Sequence, residues 1–131
     1  MKKFFTLLLA LVCCVAVLAE VYKYRTSEIA FRYADDYGNW GNWGDWEDCN
    51  VLIVVGDNDR ITIYSATTQV YDIIQYDGEE NDDSGGYSLF YSAIDSDGDK
   101  CQIRIRKQAD GLLQFYVTYG RSAWVYNMRS I

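Results

Sequence analysis

Apolar and polar residues alternate with a period of two through most of the chain after residue 20, the pattern of half-buried β-strands. The clearest run places Cys101, Ile103 and Ile105 on one face and polar residues between them. About eight such runs are centred on residues 29–33, 49–55, 61–63, 70–76, 87–91, 101–106, 113–119 and 124–128. No run has a helical period, and the sequence contains no proline to interrupt a strand ladder. The pattern predicts an all-β chain.

Short segments rich in Gly, Asp and Asn separate the runs, so consecutive strands are expected to pair antiparallel in a meander. Such a meander forms either a small barrel or a two-sheet sandwich, and both remain open. Alternate strands run the same way, so Cys49 and Cys101, each starting a strand, fall at one end of the sheet. We call it the cysteine end; it also holds residues 38–46, 66–68, 95–99 and 120–122. The acidic stretch at residues 77–86 is predicted to be a solvated loop at the opposite end.

Residues 1–19 carry two lysines, an apolar run and the small residues that signal peptidase prefers, ending at Ala19. They predict a secretory signal peptide cleaved before Glu20, which leaves residues 20–131 as a single domain. A lipoprotein anchor at Cys13 is the less favoured alternative because Val12, rather than a small residue, precedes it. The apolar stretch is too short for a transmembrane anchor, so none is expected in the mature chain. The predicted destination is the periplasm or the medium.

The chain has 12 Lys+Arg, 19 Asp+Glu and no His. Losing Lys2 and Lys3 leaves ten basic side chains against nineteen acidic ones, a formal charge of about −9. This acidic balance argues against nucleic acid and anionic membrane surfaces as partners. Without histidine, a Ser-His-Asp triad and a His-ligated zinc site are excluded.

Two of the four cysteines lie within the predicted signal peptide, which leaves Cys49 and Cys101 as one pair in an oxidising compartment. We expect a disulfide between them. It would close a loop of 53 residues, and on the chain-entropy model it would contribute roughly 4 kcal/mol.

Three stretches carry a likeness to known sequences: RITIYS with QVYDI at residues 60–65 and 69–73, DGDKCQIRI at 97–105, and LQFYV with WVYN at 113–117 and 124–127. Together they resemble a group of short secreted proteins of gut-dwelling bacteria, which are single β domains behind a signal peptide. The resemblance implies export and the fold, and it implies no activity.

Residues 38–46 repeat a three-residue unit, GNWGNWGDW, which presents three of the four tryptophans. Aromatic rings in a polar loop suit a glycan, because sugar C–H faces stack on indoles while amide and carboxylate oxygens bind the hydroxyls. The candidate ligand-binding residues are Trp40, Trp43, Trp46, Asn39, Asn42 and Asp45. The competing interpretation is that the tryptophans fold back and cap the open end of a small core.

Asp95, Asp97 and Asp99 place carboxylates at alternate positions, as at the start of a calcium loop. The twelve-residue pattern is incomplete, because Gly98 is fourth and Arg106 is twelfth. A hairpin turn at Asp97-Gly98 is therefore the favoured interpretation. A weaker calcium site shared with Asp45, Glu47 or Asp48 stays open, and no other cofactor is expected.

Three function classes compete. Catalysis by paired carboxylates needs a concave site and a raised pKa, and every candidate acid except Asp72 lies in a predicted turn or polar loop, so we expect no enzyme. The leading hypothesis is a secreted binding domain that takes a glycan at the cysteine end. The alternative is a structural or interaction domain of the cell envelope that binds another exported protein. An apolar ligand inside a barrel is disfavoured, because strands this aromatic fill their own interior.

Overall fold

Residues 21–131, the part of the chain that this computed structural model describes, form β-strands joined by turns. The strands are β1 (Tyr22–Tyr33), β2 (Glu47–Asp48), β3 (Leu52–Val55), β4 (Arg60–Tyr64), β5 (Gln69–Asn81), β6 (Tyr87–Asp95), β7 (Lys100–Lys107), β8 (Leu113–Thr118) and β9 (Ser122–Ser130). The all-β prediction is confirmed. The predicted signal peptide, its cleavage site and the anchor alternative at Cys13 lie outside the described residues.

The strands form one antiparallel sheet in the order β2-β1-β3-β4-β5-β6-β7-β8-β9, and a further pairing of β1 with β9 closes it. Strands β2 and β3 share one edge of β1, since Glu47 lies opposite Ile29 and Leu52 lies opposite Arg25. They therefore occupy one position in the wall, and the described residues form a closed barrel with eight wall positions. The meander is confirmed, and the barrel is the architecture observed.

A bulge in β1 fits this strand to both of its neighbours. The register with β9 shifts between Thr26 and Glu28. The Thr26 hydroxyl donates to the carbonyl oxygen of Cys49 at 2.7 Å and accepts the N–H of Val51 at 2.8 Å. Since Thr26 is 2% exposed, these bonds satisfy a hydroxyl that would otherwise be buried without partners.

Apolar side chains fill the inside of the barrel. Ile53, Ile63, Ile103, Phe115 and Val117 are each 0% exposed. They occupy inward positions of the alternating pattern, so the predicted inner face is confirmed there. A closed wall around a packed interior leaves the ends of the barrel as the routes to its inner surface.

One five-residue turn recurs at residues 35–39, 56–60, 82–86, 95–99 and 108–112, where the N–H of the first residue donates to the carbonyl of the fifth. The fourth residue takes a left-handed backbone, as at Gly85 (φ 89°) and Gly98 (φ 86°). Glycine adopts this conformation without steric cost. The predicted Gly/Asp/Asn turns are confirmed here.

The first half of the acidic stretch at residues 77–86 is strand and the second half is a turn, which corrects the prediction of one solvated loop. Strand β5 continues to Asn81, which lies opposite Tyr87. Register shifts between Ile73 and Gln75 and between Tyr76 and Gly78 bend the strand without ending its pairing. Residues 82–86 alone form the turn.

The predicted disulfide is absent, because Cys49 and Cys101 are both free thiols. Cys49 lies between β2 and β3, whereas Cys101 lies on β7, four wall positions away and therefore on the opposite wall. Eight tilted strands give a barrel about 16 Å across, and a disulfide needs Cα atoms within about 7 Å. The meander places both cysteines at one end, but it also holds them apart across that end.

Candidate functional site

The barrel opens at the cysteine end into a pocket of about 730 Å³. Its lining comes from strand ends and connections that the meander brings together there. It includes Phe31 at the end of β1, Gln69 at the start of β5, Asp95 at the end of β6, Tyr119 after β8 and Trp124 in β9. We call this cavity the mouth pocket.

Aromatic rings form one wall of the mouth pocket. The rings of Tyr119 and Trp124 stack with centroids 5.8 Å apart and planes 24° from parallel. Phe31 lies directly opposite Trp124 in the register of β1 with β9. Tyr71 and Tyr126, each 2% exposed, close the pocket on its buried side. The wall therefore presents a fixed aromatic surface to a ligand entering from the open end.

A carboxylate lies beside this wall. The Tyr119 hydroxyl donates to Asp95 Oδ2 at 2.7 Å, and this bond is the main cause that lowers the pKa of Asp95. Burial, followed by the same bond, raises the pKa of Tyr119. At neutral pH the pair is therefore a protonated phenol bound to an ionised carboxylate.

A second chain of hydrogen bonds crosses the pocket floor. The Tyr71 hydroxyl donates to Gln69 Oε1 at 2.6 Å, and Gln69 Nε2 donates to Ser65 Oγ at 3.0 Å. Burial raises the pKa of Tyr71, so its hydroxyl stays protonated. The described lining contains no lysine or arginine. Its amide, hydroxyl and carboxylate groups suit a neutral hydroxylated ligand or a cation, and they repel an anion.

The Trp-rich segment (residues 38–46) runs beside β1, and none of its residues lines the mouth pocket. The Gly41 N–H donates to the Tyr33 carbonyl at 2.9 Å, and the Gly44 N–H donates to the Phe31 carbonyl at 2.8 Å. The Arg32 guanidinium carbon lies 4.8 Å from the ring centroid of Trp40 and 4.7 Å from that of Trp43. These two indoles therefore hold one cation on the outer wall.

Trp43 also reaches towards β8, where its ring meets Tyr116 edge-on at 5.9 Å. Between β8 and β1 lies β9, whose outward residues Ala123 and Val125 are only 1% and 3% exposed. Small outward side chains on β9 thus lie beneath a second layer, in which Trp43 bridges from Arg32 to Tyr116. We call Trp40, Trp43, Arg32 and Tyr116 the outer cluster.

The predicted glycan-binding residues remain at the surface, outside the mouth pocket. Trp40, Trp43 and Trp46 are 36%, 37% and 43% exposed, and Asn39, Asn42 and Asp45 are exposed beside them. The Asn39 backbone N–H is held by Asp35 Oδ1 at 2.9 Å. The structure therefore keeps the six residues together on one segment, with the indoles about two-thirds covered.

The carboxylates of Asp95, Asp97 and Asp99 have ligand atoms within 4.8 Å of one another. Asp95 Oδ1 accepts the backbone N–H groups of Asp97 and Asp99, each at 2.9 Å, and Oδ2 is bound by Tyr119. The same bonding of a carboxylate to backbone N–H groups occurs in the turn at Asp82. Turn formation thus accounts for this cluster, the only one of its kind in residues 21–131; Asp45, Glu47 and Asp48 lie outside it.

Asp72, the one candidate acid inside a predicted strand, forms an ion pair across the sheet. It lies opposite Arg60 in the register of β4 with β5, and the two contacts are 2.8 and 3.2 Å long. Both side chains are 51% exposed. A cross-strand pair explains this acid without any catalytic role.

Of the mouth-pocket residues, Asp95 and Asp97 belong to the calcium site considered from the sequence, whereas Phe31, Tyr119 and Trp124 were placed in no candidate site. The alternating pattern nevertheless places Phe31, Tyr119 and Trp124 facing inward at strand ends. Aromatic residues at inward positions, collected at one end of a closed meander, are the signal that could have identified this pocket.

No protein-family model matches the chain, and neither the curated proteins nor the solved structures yield a match. Over residues 21–131, the chain has no helix of the length and apolar character needed to cross a membrane.

Proposed function

We propose that this chain is an exported, non-enzymatic domain that binds a glycan, with one sugar residue held in the mouth pocket. The observation that carries the proposal is the stacked pair of Tyr119 and Trp124 at the edge of a concave site. Sugar rings combine apolar C–H faces with hydroxyls, and binding sites for such ligands join aromatic surfaces to a few placed polar groups.

The charge of the mouth pocket further limits which ligands it can bind. Asp95 is ionised and can accept a sugar hydroxyl, while Gln69 and Ser65 supply amide and hydroxyl groups. A fatty acid or another anion would meet this carboxylate without a compensating cation in the lining. The pocket therefore favours a neutral sugar over an amphipathic acid of similar size.

The outer cluster offers a second surface for the same ligand class. Trp40 and Trp43 keep about a third of their surface exposed, and Arg32 fixes their positions. We propose that a longer glycan uses this surface, in line with the glycan site predicted from the sequence of residues 38–46. The mouth pocket is the stronger candidate because it is concave and surrounds more of a ligand.

Isothermal titration calorimetry of residues 20–131 with a panel of neutral oligosaccharides tests the proposal. The variants are Trp124→Leu and Tyr119→Phe in the mouth pocket, Trp43→Leu in the outer cluster, and Tyr37→Ala as a control that is 90% exposed. Loss of one stacking or charge-assisted contact should weaken binding about tenfold.

Weaker binding by the two mouth-pocket variants, with Trp43→Leu and Tyr37→Ala unchanged, supports the proposed site. Weaker binding by Trp43→Leu alone moves the glycan to the outer cluster. If no oligosaccharide binds to the folded protein, the glycan proposal fails.

A further inference from the structure

Two arginines face each other on the outer wall, far along β1 from the Trp-rich segment. Arg25 on β1 lies directly opposite Arg129 on β9. Cross-strand partners have Cβ atoms about 5 Å apart, and like charges in that position destabilise a sheet. The protein therefore carries an unfavourable arrangement here that its own packing does not explain.

This pair is exceptional among the seven arginines of residues 21–131. The other five are engaged by neighbouring side chains: Arg32 by two indoles, Arg60 by Asp72, Arg104 by Phe90 and Tyr116, Arg106 by Asp82, and Arg121 by Asp36. Within the described chain, neither Arg25 nor Arg129 has an ion pair or a ring contact. In a chain with 19 acidic and 12 basic side chains, two adjacent cations without partners are unexpected.

A cleft of about 550 Å³ lies against the pair, where the β1 bulge meets the gap between β2 and β3. Arg25 and Arg129 line it together with the polar side chains of Ser27 and Asn50. Asp48 lies on the same rim and supplies the one negative side chain of the lining. Two guanidinium groups beside the Asn50 amide give a concentrated set of hydrogen-bond donors, while the Ser27 hydroxyl donates to the Asn127 carbonyl at 3.5 Å.

We propose that this cleft binds a tetrahedral oxyanion, a sulfate or phosphate group, between Arg25 and Arg129. Guanidinium forks bind such oxyanions bidentately. The bound anion would neutralise the two positive charges that face each other. The cleft shares only Cys49 with the lining of the mouth pocket, whose other residues favour neutral ligands. A ligand bearing a sulfate or phosphate ester would engage it through that group, and a free inorganic anion would bind by the same contacts.

Thermal unfolding of residues 20–131 in sodium sulfate, compared with sodium chloride at equal ionic strength, tests the site. The variants are Arg25→Gln, Arg129→Gln and the double variant, with Arg60→Gln as the matched control on β4. Sulfate at fivefold its Kd should raise the Tm of the wild-type protein by about 3 °C beyond the shift of the double variant. In chloride, the two single variants should unfold at the same or a higher temperature than the wild type, because a like-charge contact is removed.

A direct readout avoids reliance on the variants. The Nε–H resonances of Arg25 and Arg129 should shift with sulfate in the wild-type spectrum while that of Arg60 stays fixed. Inorganic phosphate, glucose 6-sulfate and glucose then distinguish a free anion from an ester, and glucose alone should leave both resonances unmoved. An equal sulfate shift of Tm in the wild type and the double variant, or unmoved Arg25 and Arg129 resonances, overturns the proposal.

Discussion

Strands β7 and β9 share the same inner face of the barrel but differ on the outside. On β7, Ile103 is fully buried while the adjacent Gln102 is exposed. On β9, inward Tyr126 and outward Val125 are 2% and 3% exposed. The difference arises because the Trp-rich segment, which runs beside β1, covers the outside of β9. Alternation of apolar and polar residues thus indicates which face of a strand points inward. A second layer of the chain can bury the outward face as well.

The covered outer face also carries polar side chains, and these are paired. Gln114 Nε2 donates to Asn127 Oδ1 at 3.0 Å, and Asn127 Nδ2 donates to Glu28 Oε1 at 3.0 Å. Gln114 and Asn127 are each 7% exposed. Because leaving a buried amide unsatisfied costs about 1–3 kcal/mol, this row of hydrogen bonds allows polar residues to lie under the second layer.

The largest expected effect is at the inner face. Phe115→Ala should lower the free energy of unfolding by about 3–5 kcal/mol, because it leaves a cavity at a fully buried site. Denaturant unfolding measures this, with Phe115→Leu as a milder variant if the alanine form does not fold. Gln102→Ala, on the exposed side of β7, should change stability by less than about 0.5 kcal/mol. Equal effects at the two sites would contradict the packed inner face.

The inner face of β7 should also protect its thiol. Burial raises the pKa of Cys101 from 9.0 to about 11, so at pH 8 its thiolate fraction should be about 100-fold below that of an ordinary cysteine. Alkylation of residues 20–131 followed by mass spectrometry should label Cys101 only slowly in the folded protein, and should label both Cys49 and Cys101 after unfolding without reductant. A protein that releases no thiol on unfolding would carry the disulfide and contradict the opposite-wall placement.

The outer layer should contribute less than the core. Trp43→Ala should lower the free energy of unfolding by about 2 kcal/mol, since it removes a partly covered indole from the layer over β9. Tyr37→Ala removes an aromatic ring that is 90% exposed and should cost less than about 0.5 kcal/mol. If the two variants match in urea unfolding, the Trp-rich segment does not cover β9.

The comparison of β7 and β9 also shows what the sequence could and could not predict. Period-two alternation and turn residues are local signals, so they suffice to predict the strands, the meander and the inner face of the sheet. Closure of β1 on β9 depends on a bulge at Ser27 that no local pattern marks. The outer layer has a signal in hindsight, since Ala123 and Val125 are apolar at outward positions. The cysteines show a remaining limit of prediction from the sequence. That both lie at one end of the sheet could be predicted, but their positions around the barrel wall depend on how the barrel closes.

A smaller effect is expected at the cation between the indoles. Arg32 Nε is buried and lacks a hydrogen-bond partner within the described residues, so the two rings are its main contacts. Arg32→Gln should lower the free energy of unfolding by about 1 kcal/mol and shift the tryptophan emission to longer wavelength. Arg121→Gln breaks an exposed pair with Asp36 and should cost less than about 0.5 kcal/mol. Matching emission spectra for the two variants would show that Arg32 does not position the indoles.

The smallest expected effect on stability comes from the charge of one carboxylate, Asp82, in the turn that follows β5. Hydrogen bonds from the Ser84 hydroxyl and the Gly86 N–H, followed by Arg106, lower the pKa of Asp82 to about 2. Since the folded pKa lies below the ordinary value of 3.8, the ionised carboxylate stabilises the fold above pH 4, and this contribution disappears as the pH falls towards 2. Asp82→Asn keeps the acceptor oxygen and removes the charge, so it should unfold at lower urea than wild type at pH 7.

The urea midpoints of Asp82→Asn and wild type should then converge between pH 4 and pH 2, because a carboxylate with a lowered pKa loses its stabilising charge over that range. Asp83→Asn, at the next position of the same turn, controls for net charge, because no side-chain bond within the described residues holds its carboxylate. A constant gap between Asp82→Asn and wild type down to pH 2 would mean that the amide disturbs the turn itself. Convergence would instead show that the charge of Asp82 stabilises this turn, where Ser84, Gly86 and Arg106 hold the carboxylate, whereas the outer face of β9 is held by a layer of packed rings.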